Sequence, residues 1–315
     1  MKITTPKIAI IGAGPIGSIL AVHLEKSGTP VTLVDIQKPL MEHIQKNGIT
    51  VEGNPSLHSA VSGVCTDIAE LKGAQIDFVF IATKVFALKP ILKALQTAEL
   101  KNAHYVCYQN GIDNEDTIAK AFGKEKVLRA VINYAGNIVS TGIVKLSFFH
   151  PPNNIGGFVP QAENACRQIA LLMTSAGLAT EYTDSIKKYT WKKGILNACL
   201  SPLCALTGLT MKRAMDYKQT REIVQGVLKE GIAVAKSLGY DYGNKFYDEA
   251  LEYLDTAGYH KPSMLIDVER CSPTEIEYLN AKIVENGLKN NVPVPFNTAI
   301  TNLVCGIEER IRTKE

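Results

Sequence analysis

Residues 7–17 read KIAIIGAGPIG, and no other stretch restricts the fold as strongly. A short apolar run, KIAII (7–11), leads into Gly12-Ala13-Gly14-Pro15-Ile16-Gly17, and the periodic segment SILAVHLEKSG follows. Strand, glycine turn and helix in this order make the first βα unit of a dinucleotide-binding domain. Gly12 suits the tight turn, and Gly14 lets the backbone approach a pyrophosphate. Gly17 lets the helix pack close to the strand. Amides at the helix N-terminus would hold the anion. Pro15 is tolerated because the first helical turn has no amide partner to lose. The predicted cofactor contacts are therefore Gly12, Ala13, Gly14, Pro15, Ile16 and Gly17.

A second strand, VTLVD (31–35), follows Gly28-Thr29-Pro30 and ends in Asp35. A carboxylate at that place accepts hydrogen bonds from a ribose diol and repels a 2′-phosphate. Lys38 is the nearest cation after it, with no arginine close by. The expected cofactor is NAD(H) in preference to NADP(H). FAD fits less well, because nothing marks the extra domain that wraps a flavin.

Strand-like runs recur at IDFVFIAT (76–83) and HYVCYQN (104–110), separated by helical segments such as VFALKPILKALQ. Alternation of this kind means βαβ units and a parallel sheet. Residues 127–159 keep β character with more glycine and proline, and are expected to extend that sheet with antiparallel strands. After about residue 182 the pattern turns helical, over 185–200, 218–238, 244–256, 263–270, 274–290 and 295–311. The expected organisation is α/β: an N-terminal Rossmann-type dinucleotide-binding domain at 1–181 and an all-helical C-terminal domain at 182–315. A length of 315 residues agrees with two domains, since one core seldom grows so large.

Within the helical half, WKKGILNACLSPL (191–203) carries a narrow polar stripe. Lys193, Asn197 and Ser201 are spaced four apart and so lie along one face of a helix. Their neighbours Ile195, Leu196, Ala198, Cys199 and Leu200 are apolar or small. Pro202 removes an amide donor just past the stripe and is expected to kink or end the helix. A lysine on a largely apolar helix suits general-acid chemistry, because desolvation lowers its pKa towards working pH.

Bulk properties exclude several classes. A formal net charge of +3, without a long basic run, gives no reason to expect nucleic acid or a membrane surface. No apolar stretch approaches the roughly 20 residues that span a bilayer. The start of the chain, MKITTPKIAIIGAG, reads as a strand entering a turn and not as a signal peptide. Seven scattered cysteines without a C-x-x-C pair argue against disulfides or zinc and for a reducing, cytoplasmic setting. No metal site is expected.

These residues, taken together, resemble the ketopantoate reductase (2-dehydropantoate 2-reductase) family along nearly the whole chain. The likeness adds Thr83-Lys84, Gln109-Asn110-Gly111, Trp191-x-Lys193-x-x-x-Asn197, Ser263-Met264-x-x-Asp267 and Thr274-Glu275-Ile276 to the glycine turn. It implies hydride transfer from a nicotinamide cofactor to the ketone carbon of a 2-oxo acid, giving a D-2-hydroxy acid, in a cleft between the two domains. It implies Lys193 as the general acid, with Glu275 orienting the lysine or the reacting oxygen. Asn197, Ser201, Ser263 and Asn110 would meet the substrate, and Lys84, Asn110 and Glu275 would line the cofactor. A cytoplasmic homodimer is implied as well. Ser201 stands where the family commonly has a second asparagine, Ile266 where it has a glutamine, and Pro262-Ser263 where a polar pair is usual. These departures touch the substrate end and leave open NAD-dependent D-mandelate or other D-2-hydroxyacid dehydrogenases of the same superfamily.

Each assignment has a plainer rival. Lys192 and Lys193 read equally as solvated residues at a helix start. Ser272-Pro273-Thr274-Glu275 matches a capping box, which would commit Glu275 to its own backbone. Asn110 reads also as a turn residue before Gly111. A 6-phosphogluconate-type dehydrogenase shares the lysine and asparagine spacing, yet only Arg213, Arg221 and Arg270 lie between residues 182 and 306 to hold a phosphate. A regulator that senses NAD(P) without turnover needs the glycine turn but has no use for Lys193, Asn197 and Glu275.

Overall fold

The structure is a computed structural model that describes residues 5–54 and 56–313. The described chain divides into two compact units. The first holds the residues up to Asn110 together with Asn114–Ile186. The second holds Gly111–Asp113 and the chain from Lys187 onward.

The first unit opens with β1 (Ile8–Ile11), α1 (Pro15–Lys26), β2 (Val31–Val34), α2 (Lys38–Asn47), β3 (Ile49–Glu52), β4 (Leu57–Ser59) and β5 (Gly63–Cys65). It continues with β6 (Phe78–Ile81), α3 (Leu88–Ala98), β7 (His104–Cys107), α4 (Asn114–Phe122) and β8 (Val127–Val131). The hairpin β9 (Tyr134–Ser140) and β10 (Ile143–Phe149) comes next, then β11 (Asn153–Gly157), α5 (Glu163–Ser175) and β12 (Thr180–Tyr182). Eight strands form the main sheet in the order β12-β11-β8-β7-β6-β1-β2-β5. Pairing is parallel from β8 across to β5; β11 pairs antiparallel with β8, and β12 runs parallel to β11. Every residue of β1 and β6 is buried, as expected of central parallel strands covered on both faces.

The expectation for residues 127–159 needs correction. Only β8 and β11 join the main sheet; β9 and β10 instead build a second, four-stranded sheet, β4-β3-β10-β9. Its strands β3 and β4 lie in the segment between α2 and β5, where no strand was expected. Their short length and mixed burial give too weak an alternation to read. The hairpin packs on α1, and the approach is close. A Cβ added at Gly136 would fall 2.6 Å from Ile19 Cδ1. Glycine in a strand here marks a close approach of another element.

Between α1 and α5, His23 Nδ1 meets the Ala176 carbonyl at 2.7 Å. Burial of the ring holds His23 below its ordinary pKa, outweighing the carbonyl, which acts in the opposite direction. The unfolded chain therefore takes up the proton first as pH falls. The stability from neutral His23 is present above its unfolded pKa and is lost on acidification through the mid-6 range downward. Thermal melts from pH 8 to pH 5 should show a fall in Tm that is shallower in His23→Gln. Parallel pH profiles for the two proteins would remove His23 as the cause.

The second unit is helical: α6 (Ile186–Thr207, starting on the last residue of the first unit), α7 (Met211–Asp216), α8 (Lys218–Ser237), α9 (Phe246–Asp255), α10 (Ser263–Glu269), α11 (Asn280–Lys289) and α12 (Pro295–Thr313). Two expectations shift. Pro202 does not end α6, which continues to Thr207. The helix expected over 274–290 begins only at Asn280, after a short 3-10 turn at Ile276–Tyr278. Ile195, Ala198, Cys199 and Leu200 of α6 are buried at the centre of this unit's core, beside Val224, Val227 and Leu228 of α8. Arg221 and Asp255 brace α8 against α9 with two hydrogen bonds, of 2.6 and 2.7 Å.

Candidate functional site

The glycine turn connects β1 to α1 as its spacing requires. Gly12 has φ +108°, a conformation that favours glycine, and a Cβ there would lie 2.9 Å from Thr83 Cγ2. A Cβ at Gly17 would fall 2.0 Å from the Gly12 carbonyl oxygen, so helix and turn touch at backbone distance. Gly14 differs. It is the residue before Pro15 at the head of α1, and a Cβ there would meet nothing within 4 Å. The absence of a side chain at Gly14 leaves open space in front of a twelve-residue helix N-terminus. An anionic bridge between two nucleotides fits such a place. Ala13 is buried within the turn, while Pro15 and Ile16 are half-buried on its outer side.

Asp35 stands just past β2 and takes part in the turn itself. Its Oδ2 accepts the Ala13 amide at 2.8 Å, and its Oδ1 accepts the Gln37 amide at 3.0 Å. The carboxylate is therefore a brace for the glycine turn, a role that motif spacing alone does not reveal. A carboxylate has about four lone-pair sites, so capacity for a ribose diol remains.

Thr83, Lys84, Gln109 and Asn110 follow the ends of β6 and β7, at the carboxyl edge of the sheet where ligands bind in open α/β folds. Lys84 is half-buried and precedes a 3-10 turn at Val85–Ala87. Gln109 was not among the expected contacts. Its Nε2 donates to the Thr83 carbonyl at 2.8 Å, while its Oε1 is buried with no partner among the described residues. Gly12, Thr83 and Gln109 thus form one connected row over β1, β6 and β7. An orphaned acceptor beside the glycine turn agrees with a polar ligand there. Asn110 holds its turn: its carbonyl accepts Asn114 Nδ2 at 2.6 Å. Gly111, with φ +104°, follows.

In the second unit, α6 presents the polar stripe. Lys193 and Asn197 are half-buried and Ser201 is buried, while Trp191, Ile195, Ala198, Cys199 and Leu200 are at most 1% exposed. Lys192 is distinct from its neighbour. It is exposed, and its ammonium lies 5.3 Å from the centre of the Phe246 ring. The register thus separates a surface lysine from a partly enclosed one. Burial pushes the Cys199 thiol far up and the Cys204 thiol up to about 12, so neither offers a thiolate near neutral pH.

Ile112 ties the elements carrying Lys193 and Glu275 together. A Cβ at Gly194 would lie 2.5 Å from Ile112 Cγ1, so α6 approaches Ile112 at its one residue without a side chain. The Ile112 amide donates to the Tyr278 carbonyl at 2.8 Å, in the 3-10 turn that Glu275 precedes. Asp113 pairs with Lys187 of α6 at 2.8 Å. Glu275 is 7% exposed. Thr274 Oγ1 accepts the Ile276 amide at 3.3 Å, and Pro273 opens no helix. Ser263 is exposed as the first residue of α10.

Among the described residues, no group of three or more histidine, cysteine, aspartate or glutamate side chains is placed to hold a metal ion, and no helix is long and apolar enough to cross a membrane. A surface cavity of about 370 Å³ lies at the β12 edge, lined by Arg167, Leu171, Thr174 and Tyr182 among others, and holds none of the expected site residues.

The family model "Ketopantoate reductase PanE/ApbA" matches residues 8–158, and "Ketopantoate reductase PanE/ApbA C terminal" matches residues 185–308. A 2-dehydropantoate 2-reductase of Lactococcus lactis is 26% identical over 98% of this chain and 100% of its own. Among solved structures, D-mandelate dehydrogenase with NADH and anilino(oxo)acetate has a TM-score of 0.88 at 25% identity, covering 97% of this chain and 99% of that one. A ketopantoate reductase of Ralstonia eutropha JMP134 has a TM-score of 0.87 at 25% identity, with the same coverage. With both halves matched in order, the chain belongs to the ketopantoate reductase family of nicotinamide-dependent oxidoreductases, which reduce a 2-oxo acid at its carbonyl group.

Proposed function

We propose that this chain reduces a branched 2-oxo acid to the D-2-hydroxy acid with NADH, using Lys193 as the general acid. One observation carries the reading: a half-buried lysine, one helical turn from an asparagine, on a helix whose neighbouring residues Trp191, Ile195, Ala198, Cys199 and Leu200 are buried in a core. A bound nicotinamide would supply the hydride to the ketone carbon. As the C–O π electrons move to oxygen, Lys193 stabilises the developing charge and gives that oxygen a proton. Asn197, Ser201 and Ser263 hydrogen-bond the substrate without adding charge, and Glu275 orients the ammonium. Gly12, Ala13, Gly14, Pro15, Ile16 and Gly17 hold the dinucleotide, with Asp35, Lys84 and Asn110 along its length.

The D-mandelate dehydrogenase likeness favours a second reading within the same chemistry, in which the acid carries a bulkier side chain. Ser201 and Ile266, shorter or less polar than the family's usual residues, support it. A phosphorylated substrate is disfavoured. Arg221 is engaged by Asp255, and Arg213 lies 5.7 Å from the centre of the Tyr259 ring. Assays of purified protein with ketopantoate, 2-oxoisovalerate and benzoylformate, each with NADH and NADPH, test the reading. Turnover with one of them by NADH is expected; no oxidation of either cofactor would refute it. A homodimer is part of the proposal, and the mass in solution by light scattering tests it.

The preference for NADH rests on Asp35. Because this carboxylate also braces Ala13, an alanine there would disturb the turn as well as the charge. Asp35→Asn keeps an acceptor and removes the charge. It should lower the kcat/KM ratio of NADH over NADPH by about tenfold, the effect of a like charge removed from beside a phosphate. An unchanged ratio would take Asp35 out of cofactor choice.

A further inference from the structure

Pro202 lies inside α6, where a helix ordinarily bonds each carbonyl to the amide four residues on. Proline has no amide hydrogen, so the Ala198 carbonyl, four residues back, lacks its helical donor. Ala198 is fully buried, where an orphaned carbonyl is costly. A side chain from another helix supplies the missing bond: Asn280 Nδ2, at the first position of α11, donates to the Ala198 oxygen at 3.2 Å.

Asn280 is itself 0% exposed and fixed from behind. Its Nδ2 also donates to Asn297 Oδ1 at 3.1 Å, and Asn297 Nδ2 donates to Glu230 Oε2 at 2.7 Å. Glu230 further accepts the Phe296 and Asn297 amides at 2.8 and 2.9 Å, where an anion complements the start of α12. The carboxylate can only accept, so Asn297 must turn its nitrogen towards it. That leaves Asn297 its oxygen for Asn280, and Asn280 must present its nitrogen to two oxygens. The cost of this orientation is visible, since Asn280 Oδ1 is buried without a partner among the described residues.

We propose that Asn280 is a positioning residue: it replaces the amide that Pro202 withholds and so sets the turn of α6 that carries Asn197 and Ser201. This rests on the reading of that stripe as the substrate face. Asn197 adjoins Ala198, so the loose carbonyl and the substrate contact share one turn. A misplacement of about 1 Å in such a group costs up to about 10²-fold in rate.

The test is a cycle of Asn280→Leu, Pro202→Ala and the double variant. Pro202→Ala restores the helical donor to Ala198, so it should make Asn280 less necessary. In the proline background, Asn280→Leu should raise KM for the 2-oxo acid by about tenfold, while NADH affinity by fluorescence titration stays within about twofold. In the alanine background the same change should raise KM by less than about threefold, and Tm should show the same coupling. Equal costs in both backgrounds, in KM and in Tm, would overturn the proposal. So would an unchanged KM in Asn280→Leu. If the leucine variant does not fold, Asn280→Ser, which keeps one donor, carries the same cycle. Lys193→Ala separates the two levels. A dead Lys193 variant beside equal costs in the cycle sinks only the role of Asn280. An active Lys193 variant sinks the reading of the stripe, while coupling in Tm still reports the replaced bond.

Discussion

Lys193→Ala lowers kcat by roughly 10²–10⁴-fold, the usual worth of a positioned general acid, and leaves NADH affinity within about twofold. Lys192→Ala, one residue away, changes kcat by less than about twofold, because that ammonium is exposed over the Phe246 ring. Steady-state rates with the accepted 2-oxo acid, and fluorescence titration with NADH, measure both. Equal losses from the two variants would mean that the polar stripe is read in the wrong register. The two lysines differ in enclosure: Lys193 is half-buried and Lys192 is exposed. A cation held between apolar neighbours acts on a developing oxyanion far more strongly than one in water.

The second large effect is expected at the glycine turn, and it divides into two outcomes. Gly17→Ala places a methyl group 2.0 Å from the Gly12 carbonyl oxygen, so α1 and the turn cannot both stay where they are. Overpacking against backbone costs about 1–3 kcal/mol or more, and dinucleotide binding should weaken by at least about a hundredfold. Gly14→Ala meets nothing within 4 Å. It should keep its Tm and still lose cofactor affinity, because the methyl group occupies the space before the helix. Thermal melts and NADH titrations on the two variants decide the matter. A Gly14→Ala protein that binds NADH normally would show that the pyrophosphate does not approach there.

The main sheet was legible because its central strands are fully buried and so read as unbroken apolar runs, IAII and FVFI, between helical stretches. The glycine turn was legible for a related reason: close backbone approach admits one residue type. The second sheet was not. Strands β3 and β4 are three or four residues long, and β10, which joins their pair to the hairpin through β3, lies some ninety residues on, so local pattern says little about that pairing. In the helical unit six of the seven helices were readable; α7 (Met211–Asp216), only six residues long, was not expected, and two boundaries differ. A proline in α6 suggested an end, but Asn280 supplies the bond that would otherwise be missing. The S-x-x-E pattern at 272–275 pointed to a helix start, yet the chain makes a 3-10 turn at Ile276–Tyr278, with the Ile276 amide bonded to Thr274 Oγ1. The first of these depends on a partner distant in sequence. The bracing role of Asp35 was hidden because its link to Ala13 crosses 22 positions.

The three-residue strap Gly111–Asp113 bears on any effort to divide the molecule. Ile112 is fully buried against Gly194, yet it is encoded seventy-five residues before the rest of its own core begins at Lys187. A gene fragment starting at the apparent border would leave out that plug and expose a hole beside α6. Swapping halves between relatives therefore calls for grafting a short upstream piece along with the downstream portion.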